Sequence, residues 1–147
     1  MIPFRECWAC DFEFRADPGE HPWPVCMVAR ELHTGQEIRL WRGELLSLRA
    51  APFNTGADAV FVAYFASAEL GCFLELGWPM PANVLDLYAE HRCETNGVST
   101  TLGDGLLGAL ALRGLAHMDL GEKETMRRLI LDNNAWSDTD QAAILNY

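Results

Sequence analysis

The sequence predicts an α/β protein: a mixed five-stranded sheet, with an antiparallel meander first and parallel strands after it, flanked by helices. Three observations predict it. Between Cys7 and Trp41, three strand-like segments follow one another with only loop and turn residues between them, which is how a meander reads. Ala59 to Tyr64 is then a continuous apolar run without polar alternation, as expected of a strand covered on both faces. Finally, that run is followed by helical spacing and by a second short strand, and strands alternating with helices argue for parallel pairing.

The elements follow in order. The first strand lies within Cys7 to Phe14, and the prolines and glycine of residues 16–24 mark a loop. Pro24 to Leu32 is apolar enough for a second strand, His33 to Gln36 is a turn, and Glu37 to Trp41 alternates as a third. Leu45 to Gly56, with Pro52 and Asn54, is a mixed connection. After the covered strand, Ala66 to Leu76 has helical spacing closed by Gly77 and Pro79. Residues 78–83 form a loop, Val84 to Leu87 a short strand, Leu87 to Cys93 a short helix, and Glu94 to Gly105 a loop rich in glycine. Leu106 to Leu115 and Glu122 to Asp132 read as helices, the second amphipathic through Met126, Leu129 and Ile130. Ser137 to Asp140 resembles a capping box opening a last helix that carries Ile144 and Tyr147.

Composition bounds what the chain does. Its 147 residues, half of them hydrophobic and 22% charged, suit one globular domain over residues 1–147. No apolar run approaches the ~20 residues that span a bilayer, and the amino terminus lacks a basic segment followed by an apolar one. A soluble, cytoplasmic protein is expected. Eleven basic against 21 acidic residues give a net charge of -10. Such a surface repels nucleic acid at long range, so a polynucleotide substrate requires metal ions and help from a basic domain. The five cysteines are an odd number and read as free thiols in the core. Cys7 and Cys10, three apart on a strand, face opposite sides and cannot share an ion. His21 and His33 lie in a loop and a turn and read as solvated.

The acidic residues are more informative. On a strand, Asp11 and Glu13 point one way while Cys10, Phe12 and Phe14 point the other. Two carboxylates so close raise each other's pKa unless a cation lies between them; the alternative is an ordinary half-exposed strand. Phe65, Glu69, Cys72, Phe73 and Leu76 fall on one face of the following helix, which sets a carboxylate on an apolar stripe. Glu69 either answers the helix dipole and snorkels to water, or faces Asp11 and Glu13 across a cleft.

In this order, these features resemble the DEDD superfamily of 3′-5′ exonucleases, and most closely the amino-terminal proofreading portion of phage-type family A DNA polymerases. Asp11 and Glu13 match the D-x-E of the first motif. Glu69 occupies the aspartate position of the second, where Phe65 stands in place of the expected asparagine. Asp86 resembles a supporting aspartate and reads as a helix cap. Tyr147 matches the tyrosine of the third motif, Y-x-x-x-D, whose aspartate falls four residues on, so the resemblance implies a chain cut short before that motif is complete. Asp140 reads as a cap.

The resemblance implies a ribonuclease H-like fold and two divalent ions, Mg²⁺ or Mn²⁺. Asp11 would bridge the ions, with Glu13 and Glu69 as further ligands and Tyr147 orienting the attacking water. The implied reaction removes nucleoside monophosphates from single-stranded DNA 3′ ends, with a polymerase domain covalently linked downstream, in a host cytoplasm if phage-encoded. Phe12, Phe14, Tyr64 and Phe65 are candidate stacking surfaces. Lys123 and Arg127 are candidate phosphate contacts, against a solvated helix face with a Glu124–Arg128 ion pair. Two alternatives stay open: a stand-alone RNA-processing exonuclease, and a catalytically inactive scaffold that keeps the fold.

Overall fold

A computed structural model describes residues 3–98, 100–101, 103–115 and 120–147. Among the described residues a five-stranded sheet runs in the order β3-β2-β1-β4-β5. β1 (Glu6–Arg15), β2 (Trp23–Glu31) and β3 (Glu37–Trp41) form the antiparallel meander; β4 (Ala59–Ala63) and β5 (Val84–Asp86) add in parallel. The helices are α1 (Arg42–Ser47), α2 (Ala66–Glu75), α3 (Leu87–Glu94), α4 (Leu106–Leu112), α5 (Leu120–Leu131) and α6 (Asp138–Leu145). The mixed sheet and its flanking helices agree with the expected fold class. None of the described helices is long and apolar enough to cross a membrane.

α1 was not expected, since the stretch from Leu45 reads as an irregular connection. It forms because the Trp41 N–H donates to the Glu44 carboxylate at 2.9 Å, supplying a cap from within the first turn, and because Leu45 is buried in the core. α4 stops three residues short of the expected Leu115, where Gly114 takes φ 65° and the chain turns. The last helix opens as predicted: Ser137 Oγ accepts from the Asp140 N–H at 3.2 Å, and Asp140 Oδ2 accepts from the Ser137 N–H at 3.0 Å.

Strand alternation sorts the sheet into two faces. Trp8, Cys10 and Phe12 join Met27, Ala29, Phe61 and the α2 residues Cys72 and Phe73 in the main core. Phe73 is fully buried, with aromatic neighbours Phe12, Phe53, Phe61 and Trp78 at 5.3–6.4 Å between ring centroids; truncating such a side chain to Ala costs about 3–5 kcal/mol. On the opposite face Cys7 packs with Val60 and Val62, while Val25 and Cys26 pack with Ile130 and Ile144 of α5 and α6. Cys7 and Cys10 thus sit in different clusters. Four of the cysteines are buried, but Cys93, expected in the core, is exposed on α3, where its residue type carried no positional signal.

Candidate active site

The site arises from a mismatch in strand length. β1 pairs with β4 from Glu6 to Ala9 and no further, whereas its pairing with β2 runs on to Arg15. Beyond Ala9 the β4 side of β1 is an open edge, at the carboxyl ends of parallel strands where open α/β sheets bind ligands. Asp11 and Glu13 lie on this overhang. Asp11 is exposed and Glu13 half-buried, and both line a cleft of about 440 Å³ together with Tyr64, Cys26 and Tyr147.

Glu69 reaches the overhang from α2, which packs on the opposite face of the sheet. Its Oε2 accepts the Phe12 N–H at 2.7 Å, closing a backbone donor that has no strand partner there. Glu69 is 4% exposed, so it does not snorkel to water. Burial, then Asp11, and more weakly Glu13, push its carboxyl up to about 9, against the lowering effect of the Phe12 hydrogen bond. The thiol of Cys26, in the same cleft, is pushed up to about 12, by burial first and then by Glu13. Acidic groups are therefore crowded here, and burial together with their mutual repulsion disfavours the charged forms of Glu69 and Cys26.

The donor set suits a hard divalent ion: carboxylate oxygens on one strand face, opening to a cleft, beside a buried carboxyl whose ionisation a cation would favour. Asp11 and Glu13 are the side chains that could hold such an ion. Among the described residues, however, no three His, Cys, Asp or Glu side chains are arranged to hold one ion between them. With Oε2 on the Phe12 N–H, Glu69 has Oε1 for any such role.

The other candidate residues divide. Tyr147 lines the cleft with Asp11 and Glu13, but it lies two residues past the end of α6 rather than on it; its N–H reaches back to the Ile144 carbonyl at 3.2 Å. Tyr64 lines the cleft, and its hydroxyl donates to the Asp104 carbonyl. Phe65 is half exposed beside it. Phe14 packs partly on the core and borders a second cavity, of about 390 Å³, with Glu13, Arg127 and Tyr147. Phe12 does not belong: it is 3% exposed and edge-on to Phe73, with no face for a ligand. The Lys123 side chain lies outside the described residues. The ion pair expected between Glu124 and Arg128 is present at 3.1 Å on the solvated face of α5.

Asp86 is a cap, as its position before a helix suggested. It also does more: Oδ1 accepts from the Tyr88 N–H at 2.9 Å and from the Phe65 N–H at 3.1 Å, tying the start of α2 to that of α3. The sequence carries no signal for Asp104, which sits between glycines; Arg92 grips its carboxylate, and Thr100 N–H donates to it at 3.2 Å. Compared with known proteins, the chain matches no protein-family model and no curated protein.

Proposed function

We propose that this chain is a metal-dependent 3′-5′ exonuclease domain with a ribonuclease H-like fold, acting on DNA 3′ ends as the proofreading part of a polymerase. One observation carries the reading. Asp11 and Glu13 of β1 and, from α2, the Glu69 carboxyl bonded to the Phe12 N–H all lie on the stretch of β1 that runs past its pairing with β4, in a sheet whose antiparallel meander is followed by parallel strands. The D-x-E and the later acid belong to that overhang, and so does Tyr147 through the cleft it shares with Asp11 and Glu13.

In this reading Asp11 and Glu13 hold Mg²⁺ or Mn²⁺, ions that, when bound, activate a water and stabilise a leaving oxygen. Glu69 fixes the β1 edge through Phe12 and gives up its proton as a cation binds, adding negative charge only then. Tyr147, at the mouth of the cleft, orients the phosphate or the water. Arg127, beside Glu13 and Tyr147, takes a backbone phosphate, which the net charge of -10 makes necessary.

The test is degradation of 3′-labelled single-stranded DNA with Mn²⁺, using the polypeptide as its gene encodes it. Monophosphate release that falls to background in Asp11→Ala supports the reading, and no release under any divalent ion sinks it. Faster release from RNA ends would move the substrate class.

A second reading, an inactive scaffold, is favoured by the Glu69 hydrogen bond to Phe12, which occupies a carboxylate oxygen. It predicts that the folded protein takes up no Mn²⁺.

A further inference from the structure

The end of α6 is held from outside the helix. α6 carries no basic residue in its last turn, although the dipole and the unpaired carbonyls favour a cation there. That cation comes from β3: Arg39 Nη1 donates to the Leu145 carbonyl at 2.7 Å and to the Asn146 side-chain oxygen. The other arm of the guanidinium, Nη2, donates to Glu37 at 3.0 Å, which fixes the plane of the fork. Asn146 in turn donates its side-chain amide to the Ala142 carbonyl at 2.7 Å, so a grip on its oxygen is a grip on the whole last turn.

The next residue is Tyr147, which lines the cleft with Asp11 and Glu13, and Arg39 lines the same cleft. Strand register puts it there. Asp11 lies opposite Val28 and Val28 opposite Arg39, so the three form one row on one face of the sheet. Two strand spacings, about 10 Å, separate the backbones of Asp11 and Arg39. The acids and the grip on α6 therefore stand on one sheet, and α6 is pinned to β3 at the end that carries Tyr147.

We propose that Arg39 is a positioning residue, clamping the end of α6 so that Tyr147 is held at the cleft beside Asp11 and Glu13; the assignment rests on the exonuclease reading above, in which Tyr147 orients the phosphate or the water. Both terminal nitrogens of Arg39 are already engaged, so it acts through Tyr147 and not on the ligand. Lysine here would keep the charge but, as a point donor, could not serve Leu145, Asn146 and Glu37 in one geometry.

Two measurements test the clamp, the first without metal or substrate. In NMR spectra of the metal-free protein, the ring signals of Tyr147 should shift in Arg39→Ala and in Asn146→Ala, and less in Arg39→Lys. Those of Tyr88, which packs against Tyr64 at 5.9 Å and does not line the cleft, should stay, showing that the variants are folded. In the second measurement, with 3′-labelled single-stranded DNA and Mn²⁺, Arg39→Ala should lower kcat as far as Tyr147→Phe does, about tenfold to a hundredfold, as loss of alignment costs. KM should stay within about twofold, and Arg39→Lys should recover part of kcat. In the double variant of Arg39→Ala and Tyr147→Phe the two losses should not multiply, because both remove one alignment. Tyr147 signals unmoved in both Arg39→Ala and Asn146→Ala, or losses that multiply in the double variant, overturn the clamp. Because no metal and no hydrolysis enter the NMR comparison, its outcome separates from that of the exonuclease reading. Tyr147 signals that move in a protein without hydrolysis keep the clamp and remove the enzyme, whereas hydrolysis with unmoved signals removes the clamp alone.

Discussion

Two buried glutamates accept backbone donors from the same strand, and they sit in opposite electrostatic states. At the start of β1, Glu31 takes the Cys7 N–H at 3.0 Å, the His33 and Thr34 N–H groups at 3.0 and 2.6 Å, and the Thr34 hydroxyl at 2.8 Å. The Cys7 bond foremost, with Thr34 and His33 behind it, holds the Glu31 carboxyl at about 2, against the opposing effect of burial. At the other end Glu69 takes the Phe12 N–H at 2.7 Å, and burial first, with Asp11 and then Glu13 behind it, raises its carboxyl to about 9. Both residues are nearly inaccessible, at 3% and 4% exposure. Burial alone therefore does not set the charge state of a carboxylate. Glu31 is surrounded by donors and closes a turn, while Glu69 is buried beside two acids, which disfavours its charged form.

The comparison can be broken by mutation, and the largest effect is expected at the acids of the cleft. Asp11→Ala should reduce DNA 3′-end hydrolysis to background while leaving the thermal midpoint within a few degrees, since Asp11 is exposed; activity assays beside calorimetry check both. Next come substitutions of opposite sign in the two glutamates. Glu31→Ala strands backbone donors at Cys7 and Thr34 and should lower the Tm markedly. Glu69→Gln keeps an acceptor for the Phe12 N–H, removes the repelled charge, and should raise metal-free stability by about 1–2 kcal/mol. Equal signs in a denaturant titration would dissolve the contrast.

The same contrast predicts two pH dependences. With a folded pKa of about 2 against an ordinary 4.5, Glu31 stabilises the fold above pH 4.5, and that contribution is lost as pH falls toward 2. Glu69 behaves conversely: its folded value of about 9 means the penalty is absent below pH 4.5 and grows as pH rises toward 9. A Tm profile of Glu69→Gln should lack the loss on the alkaline side, and one of Glu31→Gln should lack most of the loss on the acid side. The smallest effect is expected at Phe65→Asn: the Phe65 backbone is left-handed, with φ 71°, and asparagine relieves that strain, which should gain about 1 kcal/mol in chemical denaturation.

Much of this was legible because the pattern is local. Alternation placed Asp11 and Glu13 on one face, the apolar run of β4 announced a covered strand, and helical spacing put Glu69 on the buried stripe. The capping signs at Asp86 and Ser137 also held. What was not legible depends on where strands end relative to one another. Nothing in the residues of β1 states that β4 stops at Ala63 and leaves the Phe12 N–H without a partner on that strand, so Glu69 as its acceptor could not be foreseen. Glu31 was passed over for the same reason, because its donors come from β1 and from the following turn. The short α1, with Gly43 inside it, has too few turns for periodicity to appear. Phe12 misled because alternation predicts a face and not whether that face is core or cleft. The left-handed backbone at Phe65 is set by the junction of β4 and α2, and residue type argues against it.

Calorimetric titration of the folded protein with Mn²⁺ at neutral pH decides whether Asp11 and Glu13, beside the buried Glu69, take up a divalent cation. Saturable binding, proton release as Glu69 ionises, and loss of both in Asp11→Asn are expected. No heat of binding, or binding that is unchanged in Asp11→Asn, would contradict that uptake.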